Sequence, residues 1–195
     1  MKSRSIYLFM LAGMLFTSCA EEGGSAADMF GAANGTKNTI APSMAGDYNQ
    51  WLLGNIGQYG YLQTVNPNHF NAWSFYIVCS GGNLQMQNNR SHWSGTVGTE
   101  QIRMDADVED NWNNWTYRSI TYNKTYFVRS ARANDMNEWQ ILGNSEQYLF
   151  TIKTIKESGW NKWEIVGTVP ESHQENLVGL FFIPVLYATN QPVIQ

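Results

Sequence analysis

Cysteine is nearly absent from this chain of 195 residues: Cys19 and Cys79 are the only two, too few for a disulfide framework. Histidine is equally scarce, and His69, His92 and His173 stand far apart with no zinc-ligand spacing. Twelve basic residues against sixteen acidic ones give a formal net charge of -4. With no basic cluster to offset that sign, nucleic acid is excluded as a partner. Long apolar runs are missing too, since residues 6–16 and 177–188 are both too short to cross a bilayer. There is no Gly-x-Ser-x-Gly elbow, phosphate-cradling loop or dinucleotide fingerprint. Cys79 alternates in phase with Trp73 and Ile77, which reads as a small buried hydrophobe rather than a nucleophile. These absences lead us to expect a non-catalytic protein without a cofactor, leaving only a spatially assembled acid pair of glycosidase type undecided.

In place of charge the chain carries 20 Asn and 11 Gln beside 8 Trp, 10 Tyr and 9 Phe. Rings that stack on apolar sugar faces and amides that bond hydroxyls suit a neutral polar ligand. The same composition also follows from strands, which favour aromatics, and turns, which favour Asn; that reading covers most of these residues.

Residues 20–42 are small, polar and aperiodic, a tether with a reach on the order of 25 Å. Met44, Tyr48, Trp51, Leu52, Ile56 and Tyr59 then fall at helical spacing, which predicts a short N-terminal helix capped by Ser43. Beyond Tyr59 the period becomes two. Apolar alternation marks strands over residues 73–79, 84–86, 102–108, 115–122, 125–133, 138–143, 146–155 and 163–169, separated by short turn signals. Pro184 interrupts the last apolar run, read as an edge or bulged strand with a short helix as the alternative. The expected fold is all-β: one domain over residues 43–195, an antiparallel meander closed as a calycin-like barrel or folded as a sandwich.

Asn-x-Trp opens four of these strands, at Trp73, Trp115, Trp139 and Trp163. The last three are 24 residues apart, one hairpin period, which puts them at one end and on one face of the sheet as core residues. No further internal repeat is evident. Three residues upstream, Trp112 and Trp160 stand in polar loops, and Met136 holds the equivalent place between them. Together with Asn111 and Asn161 they are the ligand-binding candidates, because loop aromatics mark contact sites. A loop Trp folded back over the barrel end is an equal alternative. Asp105, Asp107 and Glu109 share a strand face; we read an acidic stripe rather than a calcium site, since carboxylates alternating along a strand lie about 7 Å apart.

The N-terminus has its own pattern. Lys2 and Arg4 precede the apolar run of residues 6–16, and Phe16-Thr17-Ser18-Cys19 follows. This resembles the signal and lipobox of bacterial lipoproteins. The resemblance implies removal of residues 1–18, acylation of Cys19 and a lipid anchor as the membrane partner; loss of Lys2 and Arg4 takes the formal charge from -4 to -6. Glu21 and Glu22, just behind Cys19, resemble the export signal of surface-displayed lipoproteins and imply the outer face of the outer membrane. The functional expectation is a lipid-anchored, saccharide-binding domain. The alternatives are a lipocalin-like carrier of a small apolar ligand and an inhibitor, adhesion or immunity module.

Overall fold

The computed structural model describes residues 39–54, 60–77, 80–155, 162–167 and 182–189. Twelve strands form one closed antiparallel barrel: β1 (Thr39–Met44), β2 (Asp47–Leu53), β3 (Gly60–Asn66), β4 (His69–Ile77), β5 (Ser80–Met86), β6 (His92–Val97), β7 (Glu100–Ala106), β8 (Asn114–Ser119), β9 (Lys124–Arg132), β10 (Asp135–Leu142), β11 (Tyr148–Thr154) and β12 (Trp163–Val166). Each strand pairs with its neighbours in sequence, and Thr39↔Glu164 and Ile40↔Trp163 close the ring. Closure removes both sheet edges, so this is a barrel and not a sandwich. β1 also draws residues 39–42, expected in the tether, into the wall.

Over its described part, residues 44–54, the expected N-terminal helix is instead strand of the β1–β2 hairpin, turning at Gly46 with φ of 80°. The physical reason lies in the register. The ladders β1–β2, β3–β4 and β9–β10 slip near this end. The slip turns Trp51 and the residue three before it, Tyr48, toward the core together, with ring centroids 5.9 Å apart. A bulge thus reproduces the i, i+3 spacing of a helix.

That geometry recurs around the ring. Trp51, Trp73, Trp93, Trp115, Trp139 and Trp163 sit on β2, β4, β6, β8, β10 and β12, each at most 1% exposed. The indoles of Trp51, Trp73 and Trp93 donate to the carbonyls three residues earlier, Tyr48, Phe70 and Arg90, at 3.1, 3.2 and 2.8 Å. The period first seen in three tryptophans is therefore a six-hairpin repeat, with spacings of 20–24 residues that hide it in the sequence. All six lie at one end, here the tryptophan rim. Even-numbered strands begin there, odd-numbered strands end there, and Thr39 opens β1 at the opposite end.

Eight strands make an interior that wall side chains can fill; twelve give a diameter of roughly 24 Å, which leaves a central space about the width of a helix. Helix α1 (Phe182–Thr189) occupies it. Phe182 packs edge-on to Phe75 of β4 at 4.9 Å, and Tyr187 packs against Trp139 of β10 at 5.6 Å, so α1 touches opposite walls of the ring. Phe182, Ile183, Pro184, Val185 and Leu186 are all buried. The strand expected around Pro184 is thus a helix over the described part of that run. Pro184 stands in the first turn, where a backbone N–H has no helical partner to lose.

Tyr117 is an imperfection in this core. It is buried, its hydroxyl has no hydrogen-bond partner among the described residues, and burial, then Glu100 and Tyr126, raise its pKa well above the ordinary tyrosine value. The protonated form is the one the fold holds. Above about pH 10 an unfolded chain releases that proton while the folded chain keeps it, so stability falls as pH rises. Tyr117→Phe is expected to leave urea stability at pH 7 within about 1 kcal/mol of wild type or above it. It should also flatten the decline toward pH 11; an unchanged alkaline slope contradicts this account.

Candidate functional site

The rim is built from turns that demand special backbone. Gly46, Asn68, Asp110 and Asn134 take positive φ of 80°, 63°, 58° and 61° just before β2, before β4, in the β7–β8 loop and before β10. Asn and Asp tolerate this conformation because their short polar side chains bond locally. Next, a side-chain oxygen captures the backbone N–H two residues on: Asp47 to Asn49, Asn89 to Ser91, and Asn111 to Asn113, each at 2.9 Å, and Asp135 to Asn137 at 3.1 Å.

The residue two before Trp51, Trp93 and Trp115 then reaches the neighbouring hairpin. The backbone N–H of Asn68 donates to Asn49 Oδ1 at 2.6 Å, that of Asp110 to Ser91 Oγ at 2.8 Å, and that of Asn134 to Asn113 Oδ1 at 2.6 Å. Hydroxyls add to the belt, with Ser130 donating to Asn113 Oδ1 at 3.0 Å and Thr154 to Asn137 Oδ1 at 3.2 Å. Much of the amide excess in the composition is therefore the lock between turns.

The candidate residues divide accordingly. Trp112 is half-buried, its ring tilted against Trp115 at 5.1 Å and 5.6 Å from Tyr187 of α1, while its carbonyl accepts from the Trp139 indole at 3.3 Å. It folds back over the barrel end while keeping part of its surface exposed. Met136 is 7% exposed and belongs to the core. Asn111 is held within its turn by Asn113. Trp160, Asn161 and Cys19 lie outside the described residues.

The three acids do not converge. Asp105 is paired with His92, Arg103 and Arg118; Asp107 accepts from Thr116 Oγ1 at 2.9 Å and pairs with Arg129 at 3.1 Å; Glu109 accepts from Asn89 Nδ2. Nor is the stripe a simple solvated one, since the Asp105 side chain is only 14% exposed beneath its cations.

Among the described residues, a groove of about 510 Å³ lies beside the rim on the outer wall of β9–β11, lined by Ala131, Arg132, Asp135, Asn137, Glu138, Lys153 and Thr154. Asn137 Nδ2 donates to Asp135 at 2.6 Å, and this bond and the Asn137 backbone N–H hold the Asp135 carboxyl below its usual range. The groove carries two acidic side chains, Asp135 and Glu138, and two basic ones, Arg132 and Lys153, near balance. Sequence reading passed over these residues because they come from three strands. The one signal was Asn137, already set in Asn-x-Trp.

Fold and rim together define a class: a six-hairpin antiparallel barrel closed around a helix, with polar turns locked at one end. Comparison with known families, curated proteins and solved structures finds no match to the chain.

Asn113 supports two turns at once. Asn113→Ala should cost about 1–3 kcal/mol in denaturant unfolding and speed amide exchange at Asn134, whose N–H loses its acceptor. Unchanged exchange there would remove the lock from this account.

Proposed function

We propose that this protein is a lipid-anchored, non-catalytic binding domain of the bacterial outer surface, and that it takes an uncharged polyhydroxylated ligand of the saccharide class. The observation that carries this reading is the groove beside the rim. It presents amide, hydroxyl, carboxylate, guanidinium and ammonium groups in near charge balance, at a size suited to one or two sugar rings. The partly exposed Trp112, on the same rim, supplies a ring on which a longer chain could stack. An apolar ligand carried inside the barrel, the lipocalin-like alternative, would have to displace α1 from the space between β4 and β10. An inhibitor, adhesion or immunity role has no comparable supporting feature.

The chain direction supports the same arrangement. β1 starts at the end away from the rim, so a tether preceding Thr39 would join the barrel opposite the rim.

Calorimetric titration with a panel of neutral polysaccharides tests the reading. Binding of at least one, weakened about tenfold in an Arg132→Ala, Lys153→Ala double variant that still melts as wild type, is expected. A panel without a binder, or a variant that binds unchanged, refutes the groove. The anchor has a separate test: radiolabelled palmitate should enter the protein in a Gram-negative host and be lost in Cys19→Ala.

A further inference from the structure

We propose a second ligand site, for an anionic group, on the outer wall of β6–β8. Arg103 and Arg118 stand directly opposite one another in the β7–β8 ladder, both about half exposed. Like charges in that position repel, so an unrelieved pair is a poor choice for stability alone. One carboxylate relieves it: Arg103 Nε donates to both Asp105 oxygens at 3.0 and 2.8 Å, and Arg118 Nη1 donates at 3.2 Å. Two guanidinium charges against one carboxylate leave a single positive charge in excess.

The geometry keeps that charge usable. Arg103 engages Asp105 through Nε alone, so its terminal amino groups, the fork that matches a carboxylate or phosphate, have no acceptor among the described residues. His92 Nδ1 lies 2.9 Å from the same Asp105, which fixes the ring and leaves Nε2 as its other polar edge. Arg103 and His92 both line a groove of about 390 Å³ with Gln87, Asn88, Ser94 and the exposed Ile120. A guanidinium fork, an imidazole, a hydroxyl and two amides beside one apolar side chain form a site for a carboxylate or a phosphate carried on a polar ligand. The site is separate from the β9–β11 groove and stands whether or not that groove binds saccharide.

Titration of the full chain at low ionic strength with D-glucuronate, inorganic phosphate and D-glucose tests it. The expected result is binding of glucuronate, phosphate or both, weakening with added KCl, and no binding of glucose at this site; whichever anion binds identifies the group as carboxylate or phosphate. Arg103→Gln and Arg118→Gln should each weaken the anion about tenfold. Asp105→Asn should strengthen it, because the competing carboxylate is gone, an effect that a purely structural cluster would not show. Should Asp105→Asn fail to fold, the arginine variants and the salt dependence decide. No binding of either anion, glucose binding that Arg103→Gln weakens as much as it weakens the anion, or wild-type anion affinity in Arg103→Gln overturns the proposal.

Discussion

A closed wall of twelve strands encloses more space than its own side chains can fill, and the rest of this molecule answers that constraint. Closed packing forbids large voids, so the interior needs bulk at regular intervals around the wall and something along its axis. The six buried tryptophans supply the first and α1 the second. Phe182 and Tyr187 bridge from the helix to opposite walls, and each indole that finds an acceptor takes a carbonyl of its own or a neighbouring turn. The hairpin is the repeating unit, yet no hairpin could bury its tryptophan alone.

The rim follows from the same repeat. The ladders slip beside Trp51, Trp73 and Trp139, and a slip next to a tight turn leaves backbone groups without ladder partners. Asn and Asp side chains take those groups up, within one turn and across to the next. Aromatic and amide enrichment, which in composition suggests a sugar-binding surface, is thereby largely explained by construction. What stays open on the surface is the outer groove on β9–β11, which shares Asp135, Asn137 and Thr154 with the belt, the exposed part of Trp112, and the cation-rich wall of β6–β8. Both grooves lie on the outside of the barrel, the surface available when the axis is filled.

Much of the wall is legible from residue order, because a half-buried strand writes its two faces as alternation. Trp73, Phe75 and Ile77, or Ile102, Met104 and Ala106, announce their inward side without help. The same alternation fails for Tyr48 and Trp51, where a bulge mimics helical spacing, and for the Pro184 segment, where a helix buried on all sides has no polar face to give its period away. β6 is obscured because Gly95, where a side chain would meet the Asn83 carbonyl, breaks its apolar row.

The sequence by itself determined the all-β class, the antiparallel meander and the inward tryptophans of β8, β10 and β12, since these depend on neighbours along the chain. Only the tertiary structure decided that β1 meets β12, that α1 fills the lumen, that six hairpins rather than three share one design, and that Asp105 belongs to His92, Arg103 and Arg118. Such contacts join residues far apart in sequence. Their partners are selected by barrel closure and by the space it must fill, and neither quantity is written in any local pattern of residues.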